Sequence, residues 1–92
     1  MNSYSNAVAG VQSRCHLYVV EDDADLRGML GGYLQKQGLE VTAMERAEDV
    51  FPSLRIKRPD LIIMDVGLSG MDGFDACRRL RAEGDDVPLI LL

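Results

Sequence analysis

The sequence has few residues suited to soft-metal or redox chemistry. Its 92 residues include no tryptophan, one histidine and two cysteines. Cys15 and Cys77 form no CxxC pair, and adding His16 does not produce a recognisable set of zinc ligands. The sequence therefore predicts a reduced, cytoplasmic protein without a structural zinc site.

Long hydrophobic runs and an excess of positive charge are also missing. No apolar run is long enough to cross a bilayer, and residues 1–14 lack the basic start and apolar centre of a signal peptide. We expect these residues to form a flexible leader. Ten Lys and Arg stand against fifteen Asp and Glu, and the net charge of −5 repels nucleic acid and anionic membranes. We therefore expect no membrane partner, and contact with DNA only through a further domain.

Neither common glycine-rich nucleotide motif is present. The chain contains no GxGxxG dinucleotide turn and no GxxxxGK[ST] phosphate loop, and Gly67, Gly70 and Gly73 follow a GxxGxxG spacing instead. Position 67 is also not the second acid that aspartate-based phosphatases carry two residues beyond their nucleophile, which weighs against a Mg²⁺-dependent phosphohydrolase. The glycines are expected to let the backbone turn sharply after Asp65.

Strand-like and helix-like hydrophobic patterns alternate along the chain. Hydrophobic residues make up 47% of the sequence, enough for one small core. Uninterrupted apolar runs predict strands, and apolar residues recurring with a helical period predict helices. The predicted strands are 15–20, 39–44, 61–64 and 87–92, and the predicted helices are 23–38, 48–57 and 72–84. We expect Pro52 to weaken the second helix because it lacks a backbone donor.

This alternation predicts the fold class. Strands joined by helices form βαβ units, so we expect an α/β domain with a parallel sheet covered on both faces. Right-handed crossovers leave few windings, and the flavodoxin-like doubly wound order 2-1-3-4 places the first and third strands side by side. Residues 15–92 would form this single domain. Ligands of such sheets bind at the carboxyl ends of the strands where the winding reverses.

Acidic residues follow the two strands that meet at this reversal. Glu21, Asp22 and Asp23 come after the first strand, and Asp65 comes after the third. Adjacent carboxylates raise one another's pKa unless a cation lies between them, and Mg²⁺ prefers such oxygen ligands. Taken alone, the acidic run is equally well explained as solvated surface or the start of a helix, and Asp23 is expected to cap the first helix.

Three motifs at these positions resemble the receiver domain of two-component response regulators. They are VVEDD at the end of the first strand, PDLIIMD through the third strand, and LSGMDGF in the following loop. The resemblance implies that Asp65 accepts a phosphoryl group from a histidine kinase or phosphotransfer protein. It also implies that Glu21, Asp22, Asp65 and the backbone carbonyl of Gly67 bind Mg²⁺ or a similar divalent ion such as Mn²⁺. Such a chain is a switch rather than a turnover enzyme, with at most self-catalysed phosphorylation and hydrolysis.

The sequence departs from the family pattern at two places. Most receivers carry proline where this chain has Ser69. The sequence given also stops at Leu92, within the fourth strand, before the hydroxyl residue, the fifth strand with its lysine, and the last helices of the family. We expect phosphotransfer to be retained but signal output to require those missing segments.

Two questions stay open on the sequence alone. The apolar fourth strand would be an exposed edge of the sheet. Either further residues of a longer protein cover it, or a second copy covers it in a homodimer, or it stays uncovered and the domain is only marginally stable. The alternative to a phosphoacceptor is a pseudo-receiver or receiver fragment that binds partners without being phosphorylated.

Overall fold

The computed structural model describes residues 14–92, so the predicted leader at 1–14 lies outside the described residues except for Arg14. Strands and helices alternate in this part of the chain. In order they are β1 (His16–Val20), α1 (Ala24–Lys36), β2 (Glu40–Met44), a 3-10 helix (Ala47–Asp49), α2 (Val50–Leu54), β3 (Leu61–Met64), α3 (Gly73–Ala82) and β4 (Leu89–Leu91).

The four strands form one parallel sheet in the order β2-β1-β3-β4. The flavodoxin-like order 2-1-3-4 predicted from the sequence is therefore confirmed. At the carboxyl end of the sheet, Val20 of β1 pairs with Met64 of β3, and the Asp65 N–H donates a hydrogen bond to the Val20 carbonyl at 3.0 Å. The residues that follow these two strands therefore leave the sheet side by side.

The hydrophobic core lies between the sheet and the two helices α2 and α3. β1 is its centre, because all five of its residues are buried. Strands buried on both faces appear in sequence as continuous apolar runs, which is why this strand could be predicted. The core residues are Tyr18, Val20, Met44, Ala47, Val50, Ile62, Met64, Leu68, Ala76, Leu80 and Val87.

Helix α1 packs on the opposite face of the sheet, with Gly31 fully buried and with Leu30 and Leu34 partly buried. Gly31 is its only buried residue, and a Cβ added there would lie 3.7 Å from Cγ1 of Val41. Three other apolar residues that recur with a helical period in α1, Leu26, Met29 and Tyr33, are 45%, 67% and 61% exposed. The helix was predicted correctly, but its apolar stripe lies largely beside the contact with the sheet.

The second helix, predicted at 48–57, is wrong in extent. The expectation that Pro52 weakens it is also wrong. The chain instead forms the 3-10 helix Ala47–Asp49 and the short helix Val50–Leu54. Pro52 lies in the first turn of the α-helix, where its missing N–H would have had no partner within that helix. The proline is therefore compatible with the beginning of α2 rather than a break within it.

Two further features concern α3 and the start of the last strand. In α3 the buried residues are Gly73, Ala76 and Leu80, whereas Phe74 is 55% exposed and Cys77 is only partly buried. Gly73 begins this buried face because the start of the helix lies directly against the backbone at the end of β3. The last strand begins at Leu89 rather than at position 87, because proline at position 88 has no N–H to donate to a neighbouring strand.

Within the described part of the chain, no helix has the length and hydrophobicity needed to cross a membrane.

An ion pair joins the loop before β3 to the loop before β4. Arg58 donates two hydrogen bonds to the Asp85 carboxylate at 2.7 and 2.9 Å, and the Val87 N–H donates another at 2.9 Å. The Arg58 hydrogen bonds, with help from the Val87 N–H, lower the pKa of Asp85 from 3.8 to about 2. Since the pKa is lowered by folding, this stabilisation is present above pH 3.8 and is lost as the pH falls through about 2.

We predict that Asp85→Asn lowers the free energy of unfolding near neutral pH by on the order of 1 kcal/mol, because Arg58 is half exposed and solvent screens the pair. The difference from wild type should shrink between pH 4 and pH 2, where the native Asp85 takes up its proton. Urea unfolding followed by circular dichroism measures it. Asp86→Asn is the control, since Asp86 is fully exposed and 3.8 Å from Arg58. Equal effects of the two substitutions would contradict the assignment.

Candidate functional site

Three carboxylates meet at the carboxyl end of the sheet. Glu21 and Asp22 follow β1, and Asp65 follows β3. Each can offer one oxygen such that all three oxygens lie within 4.8 Å of one another. The convergence expected from the strand order is present, and it depends on the β1–β3 pairing that places these strand ends together.

Hydrogen bonds orient all three carboxylates. Glu21 Oε2 accepts from the Asp23 N–H at 3.1 Å, and Asp65 Oδ1 accepts from the Gly67 N–H at 3.0 Å. Asp22 Oδ2 accepts from the Ser69 hydroxyl at 3.2 Å. The three acidic side chains are therefore held in place by the loops after β1 and β3.

The electrostatics of Glu21 and Asp22 differ. Glu21 is 6% exposed, and burial raises its pKa, with a further increase from the negative charges of Asp65 and Asp22. Desolvation also acts against the charge of Asp22, but hydrogen bonds with Glu21 and Ser69 outweigh it and lower the pKa of Asp22. A proton taken up by this pair is therefore held more readily by Glu21 than by Asp22.

The cluster has the chemistry of a hard-cation site. The Arg27 guanidinium donates to the backbone carbonyl of Glu21 at 2.8 Å rather than to its carboxylate. Among residues 14–92, none of the salt bridges involves Glu21, Asp22 or Asp65. Three clustered oxygen donors without a balancing side-chain cation fit a divalent ion such as Mg²⁺ or Mn²⁺.

The loop between β3 and α3 is fixed at several points. Leu68 is buried in the core, and the Met71 N–H donates to Glu48 Oε2 at 3.3 Å. Gly70 has a φ of +76°, a conformation that favours glycine. A Cβ at Gly73 would lie 2.8 Å from the Asp65 carbonyl oxygen and 2.9 Å from Cα of Val66. The glycines therefore shape the loop and let α3 approach the backbone of Asp65.

The structure assigns the other predicted residues as follows. Asp23 caps α1, with Oδ1 accepting from the N–H groups of Asp25 and Leu26 at 2.9 and 3.0 Å, and Asp72 caps α3. Gly67 lies beside Asp65 through its N–H, while a metal-ligand role for its carbonyl stays a prediction. The sequence analysis did not identify the contacts of Ser69 and Glu48. No sequence motif marks these two contacts, because they form only when the loop is folded.

The fold and the site together define a doubly wound α/β domain with an acidic cluster at its winding reversal. The sequence profile of the response regulator receiver domain matches residues 17–92. The chain belongs to this family. Receiver domains typically use a divalent cation. The acidic cluster of this chain lies at the ends of β1 and β3.

Individual relatives agree with this assignment. The chain is 46% identical over 76 residues to the transcriptional regulatory protein AfsQ1 of Streptomyces coelicolor, a match that covers 83% of this chain and 33% of AfsQ1. It is 38% identical over 79 residues to the DNA-binding response regulator MtrA of Mycobacterium leprae, covering 86% of this chain and 35% of MtrA. The chain therefore spans about a third of the curated relatives it matches.

Solved structures give the same fold. A response regulator receiver protein from Pseudomonas putida matches with a TM-score of 0.81 and 31% identity, covering 89% of this chain and 69% of that chain. The BeF3-activated receiver domain of Klebsiella pneumoniae RstA matches with a TM-score of 0.75 and 30% identity, covering 83% and 64%.

We predict opposite effects of alanine at two glycines. Gly73→Ala should lower the free energy of unfolding by about 1–3 kcal/mol, because the new methyl group would overlap the backbone after β3. Gly32→Ala should raise it by up to about 1 kcal/mol, because nothing lies within 4 Å of a Cβ there and alanine favours helix. Chemical denaturation compares them. A neutral or stabilising Gly73→Ala would contradict the close approach of α3.

Proposed function

We propose that this chain is a phosphoacceptor in which Asp65 receives a phosphoryl group from a histidine kinase or a phosphotransfer protein. The observation that carries the proposal is the meeting of the Glu21, Asp22 and Asp65 oxygens within 4.8 Å in a chain that belongs to the receiver family. The domain would act as a switch and not as a turnover enzyme.

The position of Asp65 suits a carboxylate nucleophile. It is half-buried at the end of β3, and Oδ1 is held by the Gly67 N–H at 3.0 Å. In the proposed transfer, an Asp65 carboxylate oxygen forms a bond to phosphorus while the bond between phosphorus and the donor's imidazole nitrogen breaks. The bonding pair returns to the imidazole, so the products are an aspartyl phosphate and a free histidine. Because the Gly67 N–H holds the Asp65 carboxylate, this side chain needs little reorientation before it attacks phosphorus.

Glu21, Asp22, Asp65 and the Gly67 carbonyl are proposed to hold Mg²⁺, with Mn²⁺ as a substitute. When bound, the cation would neutralise carboxylate charge and the negative oxygens of the incoming phosphoryl group. Glu21 suits the role of an anchor because it is 6% exposed and held by the Asp23 N–H. Asp22 is only partly buried and would offer a more accessible carboxylate to the cation.

The longer relatives suggest the setting of this switch. MtrA is named a DNA-binding response regulator, and this chain covers 35% of it. We propose that the whole protein regulates an output in a segment other than this one, since a net charge of −5 disfavours DNA binding here. Free Cys15 and Cys77 are consistent with the proposed cytoplasmic setting.

The test is to incubate the protein with Mg²⁺ and acetyl phosphate and to measure its intact mass. We predict one phosphoryl adduct for wild type and none for Asp65→Asn. Asp72→Asn is the matched control and should keep the adduct, because asparagine also caps helices and Asp72 binds the Asp75 N–H at 2.8 Å. An adduct that persists in Asp65→Asn would overturn the assignment.

A second candidate function, binding without phosphorylation, is favoured by exposed apolar residues at β4. Ile90 is 47% exposed and Leu92 is 62% exposed. Exposed apolar side chains at a strand edge favour pairing with another chain, and a second copy is the partner we propose.

We predict for this candidate a concentration-dependent dimer in light scattering that Ile90→Glu dissociates. Ile56→Glu should leave the dimer intact, because Ile56 is 86% exposed but lies near Tyr18 of β1 and Thr42 of β2, which β3 separates from β4. A monomer at all concentrations, together with a phosphoryl adduct on Asp65, would rule this candidate out.

A further inference from the structure

The three carboxylates of the site differ in what holds them. Glu21 and Asp65 accept hydrogen bonds from backbone N–H groups, those of Asp23 and Gly67. Such contacts do not depend on side-chain identity, except that proline would remove the donor. Asp22 instead accepts from the side chain of Ser69 at 3.2 Å. The part of its hydrogen bonding that comes from the Ser69 hydroxyl therefore depends on which residue occupies position 69.

The loop presents the Ser69 hydroxyl at a defined place. On one side of Ser69, Leu68 is buried in the core at 6% exposure. On the other side, the Met71 N–H binds Glu48 Oε2 at 3.3 Å. These contacts anchor the loop on both sides of the serine, so the hydroxyl can orient Asp22 with limited loss of loop freedom.

Asp22 is also bounded by fixed neighbours. Glu21 before it is buried, and Asp23 after it caps α1. The backbone at Asp22 is therefore set, and the remaining freedom is in its side chain. The hydroxyl and the backbone N–H of Ser69 both face the Asp22 carboxylate.

We propose that Ser69 is a positioning residue that holds the Asp22 carboxylate in place for a divalent cation. This inference rests on the proposed Mg²⁺ site. Groups that hydrogen-bond to a metal ligand orient it, and their removal commonly weakens metal affinity about 10- to 100-fold. The 3.2 Å contact is longer than the usual O–H···O distance of about 2.7–2.8 Å, so we expect an effect at or below the lower end of that range.

Proline at this position would differ in two ways from serine. It has no hydroxyl, and it has no backbone N–H. Proline at position 69 could therefore donate no hydrogen bond to Asp22, whereas serine reaches it from the loop after β3. Ser69 thereby connects the loop of the phosphoacceptor to a ligand that follows a different strand.

The test is the affinity for Mg²⁺, measured by calorimetric titration on the full chain. We expect Ser69→Ala to weaken binding roughly three- to tenfold and Ser69→Pro at least as much. Ser69→Thr keeps the hydroxyl and the N–H and should bind within about twofold of wild type. Ser53→Ala is the control, because the Ser53 hydroxyl donates to the Asp49 carbonyl at 2.8 Å in α2.

Unfolding in EDTA provides a readout that needs no metal. In EDTA, the unfolding midpoint of Ser69→Ala should differ from that of wild type by no more than the midpoint of Ser53→Ala does. The reason is that an exposed hydroxyl contributes little to the free energy of unfolding. Weakened Mg²⁺ binding with unchanged stability supports positioning. A matching loss of stability in EDTA would instead indicate a purely structural role and overturn the inference.

Asp22→Asn separates the two proposals. If it abolishes Mg²⁺ binding while Ser69→Ala binds as tightly as wild type, the cation site stands and the role of Ser69 is wrong. If wild type does not bind Mg²⁺, or if Asp22→Asn binds as well as wild type, the proposed site and the role of Ser69 both fail.

Discussion

The parallel pairing of β1 with β3 determines where every group of the site lies. Val20 and Met64 are neighbours in the register, and the Asp65 N–H binds the Val20 carbonyl at 3.0 Å. A shift of this register would separate Glu21 from Asp65 and expose apolar residues that now belong to the core. The same strands that bury the core therefore bring the carboxylates together, so packing and site geometry share one cause.

Bringing these carboxylates together has an electrostatic cost. Burial and neighbouring negative charge raise the pKa of Glu21, which shows that the charged form is disfavoured there. Hydrogen bonds from Asp23, Gly67 and Ser69 offset part of that cost. The receiver family typically uses a divalent cation, and in the proposed site such a cation would supply the remaining compensation. The proposed phosphotransfer depends on the same cluster of negative charge.

Much of the fold could be predicted because its determinants are local or periodic. β1 and β3 appear as continuous apolar runs, and Gly38 ends α1 with a φ of +89°. Rules of handedness left few strand orders, the flavodoxin-like order among them, and Asp65 followed from its place after β3. The exposure of Met29 and Tyr33 could not be predicted, since periodicity identifies an apolar stripe but not the packing that covers it. The contact between Ser69 and Asp22 joins positions far apart in the chain, so only the folded loop shows it.

The most direct test of a shared cation site is the free energy of unfolding as a function of Mg²⁺ concentration, compared between wild type and Asp65→Asn. In EDTA, Asp65→Asn should be the more stable protein, because it removes one of three clustered negative charges and its side-chain oxygen can still accept from the Gly67 N–H. Rising Mg²⁺ should stabilise wild type by linkage and reverse that order, because an ion that binds only the folded state adds stability in proportion to the logarithm of its concentration. Parallel curves for the two proteins would contradict a cation site formed by Asp65 with Glu21 and Asp22.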